Sequence, residues 1–170
     1  MSNTIVSNTT QQMIDFVKQI GIEVNFGKVP TEKEFVPGIC IYNGGLLIDL
    51  ENLKYPGDIL HEAGHLAVAT PASRIQMDGI LDGSMNDAPA EEMMAIAWSY
   101  AAALYIGIDP FIVFHENGYK GGGGYIADSF SRGEYFGVPM LEWVGLCANE
   151  QTAIEKNIEP YPTMIKWVRE

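Results

Sequence analysis

Five consecutive residues, His61-Glu62-Ala63-Gly64-His65, hold two imidazoles and a carboxylate at a spacing that suits metal chemistry. In a helix, four residues advance about 400° and about 6 Å, so His61 and His65 share one face, one turn apart. Both rings can then reach a single zinc ion at Zn–N distances of about 2.0–2.1 Å. Glu62 lies about 100° round the helix from His61. From there it can act on water at the metal as a general base without filling a ligand position. The bland alternative is two surface histidines on a helix.

A zinc site of this kind takes a third protein ligand and leaves one position open. His115 is the one other histidine in the chain. The extended zincin pattern with a glycine and a third histidine downstream is excluded, because those positions hold Val68 and Pro71. The third ligand is then expected to be a carboxylate of the next helix, where Glu91 and Glu92 stand in the first turn. Glu92 is followed by Met93-Met94-Ala95. The small Ala95 would let this helix pack closely beside Gly64, and residues i and i+3 share a face. Glu92 is therefore the expected ligand and Glu91 the alternative; otherwise both are solvated acids favoured by the helix dipole. Acyl-transfer chemistry also needs a donor for the developing oxyanion. His115 is the catalytic candidate, with Tyr119 and Tyr125, on either side of the glycine run 121–124, as further candidates. Those glycines read as a mobile lid or a loose surface loop. A plain reading of His115 is a histidine at a helix end.

The surrounding pattern must position these groups. Met13, Phe16, Val17 and Ile20 keep helical spacing up to Gly21. Residues 22–26 alternate as a strand does, and the apolar runs 35–42 and 46–50 flank Asn43-Gly44-Gly45 as in a hairpin. Asp58 is expected to cap a helix running to about Thr70, where Pro71 blocks continuation. Residues 71–88 read as an acidic loop whose Asp78, Asp82 and Asp87 either favour basic substrates near the site or, as the plainer reading, are solvated. A second long helix, 88–106, is closed by Gly107 and buried on most sides. Asp109-Pro110 starts a short helix, and two or three more follow, through 140–144 and 164–168. Trp98, Tyr100, Tyr105, Trp143 and Trp167 read as core residues. The order predicts an α+β fold in a single domain, 1–170.

With 170 residues and 47% apolar content, the chain can bury a core. Ten Lys and Arg against 22 Asp and Glu give a net charge of −12, which argues against nucleic acid and anionic membrane surfaces as partners. Cys40 and Cys147 form no CxxC pair and read as buried thiols of a reducing compartment. No secretory pattern opens the sequence, and the most apolar stretch, 95–108, falls short of the roughly 20 residues a bilayer span needs. A soluble, cytoplasmic protein is expected.

Taken together, the HExxH helix and the following ExxA helix resemble the gluzincins, and in size the small minigluzincins and repressor-cleaving peptidases. The resemblance spans about residues 45–105. It implies a zincin-like domain with a small, mainly antiparallel sheet. It also implies zinc held by His61, His65 and Glu92, and hydrolysis of a peptide or protein substrate with Glu62 as general base. The strand 46–50 would be an edge that pairs with extended substrate. One position departs from the pattern: Ile96 stands where many members carry an Asp or Asn that steadies a metal-binding histidine. Glu91, Asp49 or a backbone carbonyl would have to replace it. The alternative function is a non-catalytic zincin-like module that binds zinc or a partner protein, and a single macromolecular target would suit either function.

Overall fold

The computed structural model describes residues 6–33, 36–79 and 88–170. Helix α1, Asn8–Gln19, starts where the Ser7 hydroxyl accepts from the Thr10 N–H. It buries Met13, Ile14, Phe16 and Val17 along one stripe, and Gly21 leaves it with φ of 91°. Three short strands follow: β1, Val24–Phe26; β2, Ile39–Tyr42; and β3, Gly45–Ile48. Strands β2 and β3 form the expected hairpin through Asn43 and Gly44, both at positive φ, as a two-residue turn of this hand requires.

The sheet order is β1-β3-β2, with β1 parallel and β2 antiparallel to β3. This corrects the expectation that the strand ahead of the motif is an edge. β3 is paired on both sides, because the chain entering from α1 lays β1 along it, Val24 beside Leu46. Alternation along one strand reports which face is buried, not which strands lie beside it. Leu46 and Ile48 are fully buried against the helices.

Helix α2, Asp58–Val68, carries the motif. Its N-cap is Gly57, pressed so closely on Ile112 that an added Cβ would fall 2.0 Å from the Ile112 carbonyl oxygen. Asp58 is thus not the cap: it is the first helical residue, buried, with its carboxylate turned to His115. Pro71 ends α2 but also opens a further turn, α3, Pro71–Arg74, where the sequence pattern predicts loop. Proline suits a first helical turn, and the Thr70 hydroxyl accepts from Ser73 N–H there. Arg74 donates to the carbonyls of Leu66, Ala69 and Arg169, supplying partners for the open C-terminal end of α2.

Helix α4, Ala88–Tyr105, crosses α2 at Gly64. Ser99 Oγ lies 2.6 Å from the Ala95 carbonyl and 3.3 Å from that of Leu60, tying the two helices together. Beyond come α5, Pro110–Val113, capped by Asp109; α6, Gly123–Ser131; α7, Val138–Trp143; and α8, Glu150–Lys156. The result is mixed α+β, with a small sheet against a helical layer and one continuous hydrophobic cluster.

Several aromatic expectations change. Trp98 and Tyr100 are buried, and Trp167 packs edge-on to Trp98 and Phe16. Tyr105 is 63% exposed and Trp143 88% exposed, since each ends its helix beyond the core. Residues 164–168 are not a helix. Their backbone serves other elements instead: Ile165 N–H donates to Leu146, and the Trp167 carbonyl accepts from the Trp98 indole. Asp78 pairs with Lys33, while Asp82 and Asp87 lie outside the described residues. Cys40 and Cys147 are buried thiols that form no disulfide. Among the described residues, no helix is long and apolar enough to cross a membrane.

Candidate metal centre

The close crossing of α2 and α4 brings three donor side chains together. His65 Nε2 lies 3.1 Å from His61 Nε2 and 3.1 Å from one Glu92 oxygen, and His61 Nε2 lies 3.6 Å from the other. A tetrahedral ion with bonds of about 2.0–2.1 Å needs its ligand atoms about 3.3 Å apart, so these three fit one ion of that size. The rings meet edge to face, with centroids 4.6 Å apart. Among the described residues this is the one group of three or more His, Cys, Asp or Glu side chains that could hold a metal. It includes Glu92 rather than Glu91.

His61 and Glu92 are shifted toward the forms that bind a cation, whereas His65 is shifted toward the form that must give up a proton to do so. Burial, with the neighbouring His65, drives the His61 pKa down to about 3, so its ring is neutral with a free lone pair. Burial also opposes the charged form of His65, but the Glu92 hydrogen bond and the Glu62 charge outweigh it, and its pKa moves up. For Glu92, burial acts upward, yet the hydrogen bond to His65 prevails and the carboxylate pKa falls. Two imidazoles and a carboxylate are a donor set that suits a divalent ion such as zinc.

Glu62 is set apart from the three donors. Burial, despite the opposing pull of His65, raises its pKa to about 7, with the Asp58 and Glu92 charges adding to the rise. A carboxylate poised near neutrality is suited to taking and returning a proton.

His115, the catalytic candidate, is not among the three metal donors. Its Nε2 bonds Asp58 Oδ1 at 3.1 Å, and its ring stacks on Tyr55 with centroids 4.1 Å apart. Burial holds the Asp58 pKa up, partly offset by that histidine. Of the other proposed donors, Tyr125 is 71% exposed on α6. Tyr119 is the one that reaches the site: its hydroxyl lies 3.0 Å from His61 Nδ1, on the ring's opposite side from the donor atom. Asp49, considered as a support for a histidine, instead accepts from Glu51 N–H and Asn52 Nδ2 in its own turn.

The glycine run is helical rather than a loose loop. A 3₁₀ turn, Tyr119–Gly121, leads directly into α6, whose first residues are Gly123 and Gly124. Tyr119 and Lys120 both sit at φ of 54° and Gly121 at 83°. Left-handed backbone costs an ordinary residue about 1–2 kcal/mol. The turn folds back so tightly that a Cβ on Gly123 would stand 2.5 Å from the His115 carbonyl, and one on Gly118 3.1 Å from the His115 ring. Glycine at 118 and 123 thus lets the chain double back and deliver Tyr119 to His61. The cluster of small residues was visible in the sequence, but not the strained turn it serves. Comparison with protein-family models, with curated proteins and with solved structures finds no match for this chain.

Proposed function

We propose that this protein is a zinc-dependent peptidase of gluzincin type, with zinc held by His61, His65 and Glu92. One observation carries the reading: three donor side chains, with nitrogen and oxygen atoms 3.1–3.6 Å apart, come together from two helices beside the partly buried carboxyl of Glu62. A bound zinc would supply Lewis acidity, polarising a carbonyl and lowering the pKa of water. Glu62 would take the proton from the attacking water and hand it to the leaving amine, cleaving the peptide bond. His61 and His65 would bind from one turn of α2, and Glu92 would offset one of the two charges of a dication. The net charge of −12 favours a peptide or protein substrate over a polyanion.

The alternative, a non-catalytic zinc-binding or interaction module, draws on Ile96, a core residue where an orienting polar group is expected. Metal content and peptide-library cleavage, each measured for the wild type, Glu62→Gln and His61→Ala, separate the two. The peptidase predicts one zinc per chain, cleavage by the wild type, and loss of cleavage with zinc retained in Glu62→Gln. Zinc bound with no peptide cut leaves the binding module. Zinc affinity unchanged in His61→Ala removes the site itself.

A further inference from the structure

We infer that Tyr119 is a positioning residue of the metal centre, its hydroxyl fixing the His61 imidazole with the proton on Nδ1 so that Nε2 is presented to the metal. This rests on the zinc reading above and goes beyond it, because the expected partner position, 96, holds a buried isoleucine.

Four observations point the same way. The Tyr119 oxygen lies 3.0 Å from His61 Nδ1, while Nε2 of the same ring faces His65 and Glu92. The two rings also meet edge to face, centroids 5.2 Å apart, so packing and hydrogen bond hold one orientation. The half-buried phenol also packs on Phe114, ring centroids 5.3 Å apart, so it is held from a second side. Finally, Tyr119 and Lys120 occupy left-handed backbone, a conformation that persists where the surrounding structure imposes it and that clusters at functional sites.

The chemistry follows from the imidazole. A neutral histidine can bind a cation only through the nitrogen without a proton, and a hydrogen bond to the other nitrogen selects that tautomer. Ligating histidines usually donate this second N–H to a carboxylate, a carbonyl or water. Here His61 Nδ1–H would donate to a phenol oxygen carried by a turn far along the chain. Tyr119 therefore acts through His61 and is distinct from an oxyanion donor, which would have to face the substrate.

The test is zinc competition titration of Tyr119→Phe against wild type, with activity as a separate readout. Removing the partner is expected to weaken zinc binding by about 10–100-fold, the usual effect of losing such support. The circular dichroism spectrum should be unchanged. An oxyanion donor would instead leave zinc affinity intact and lower kcat alone. That result, or zinc affinity within about twofold of wild type, overturns the inference. Selective 15N-histidine NMR of the zinc-loaded wild type gives an answer without the variant. The His61 proton should be found on Nδ1 and the metal on Nε2, and the opposite arrangement overturns the inference. Failure of the wild type itself to bind zinc through His61 and His65 would be a failure of the site reading, distinguishable from either outcome.

Discussion

Gly64 sits between the two histidines and against α4, so Gly64→Ala tests whether the helix crossing sets the metal geometry. An alanine in a helix interior normally gains about 1 kcal/mol over glycine. Here the new Cβ would lie 2.9 Å from the Ala95 carbonyl oxygen and 3.3 Å from Ala95 Cα, where ordinary contact begins at 3.4 Å. The obstacle is backbone, which cannot swing aside as a flexible side chain does. Relieving it means separating α2 and α4 by roughly half an ångström, and overpacking of this kind costs about 1–3 kcal/mol. The clash should win, for a net loss of up to about 2 kcal/mol. Glu92 is one turn before Ala95 on the same helix and moves with it. In metal-free protein the helices can relax apart, so zinc must draw them back. If about 1–2 kcal/mol of that strain is repaid on binding, the zinc Kd rises about 5–30-fold. Denaturant unfolding of chelated protein and zinc competition titration measure the two effects. Gly124→Ala is the control, because its added Cβ meets nothing within 4 Å. A Gly64→Ala protein as stable as wild type, with unchanged zinc affinity, would refute the close-crossing argument.

Arg74→Ala should destabilise by about 2–4 kcal/mol in denaturant unfolding, because charged hydrogen bonds to the carbonyls of Leu66, Ala69 and Arg169 are lost together; Arg74→Lys should recover only part, lacking the guanidinium fork. The metal-free protein should also show a pH signature of Glu62. Its folded pKa of about 7 lies above the ordinary 4.5, so the stability it contributes is present below about pH 4.5 and lost as pH rises through 7. Relative to Glu62→Gln, wild type should lose about 1–2 kcal/mol over that window, less than a fully buried acid because Glu62 retains some solvent access. His61, depressed to about 3, acts in the opposite sense between pH 3 and 6.5, but it is common to both proteins. A flat difference across the window would mean that Glu62 is solvated.

Local spacing carried much of this protein. The i, i+4 histidines share a helix face by geometry alone, and the Asn43-Gly44 turn marks the hairpin because few other residues accept its dihedrals. Gly64 and Ala95 marked the helix crossing, since only small residues allow helices so close. What the spacing could not reach are contacts between groups distant in sequence. Glu91 and Glu92 are equivalent first-turn acids until the rotation of α4 against α2 is set, and that depends on packing of the whole helix. Asp58 looked like a cap and is instead the partner of His115, 57 residues away. The place of β3 in the middle of the sheet depends on where β1 docks, and the exposure of Tyr105 and Trp143 on where their helices end relative to the core. Tyr119 is the clearest case. Its residue type and its glycine neighbours were plain in the sequence, but its bond to His61 spans 58 positions. It exists only because a strained turn, held by tertiary packing, folds the chain back onto the motif helix.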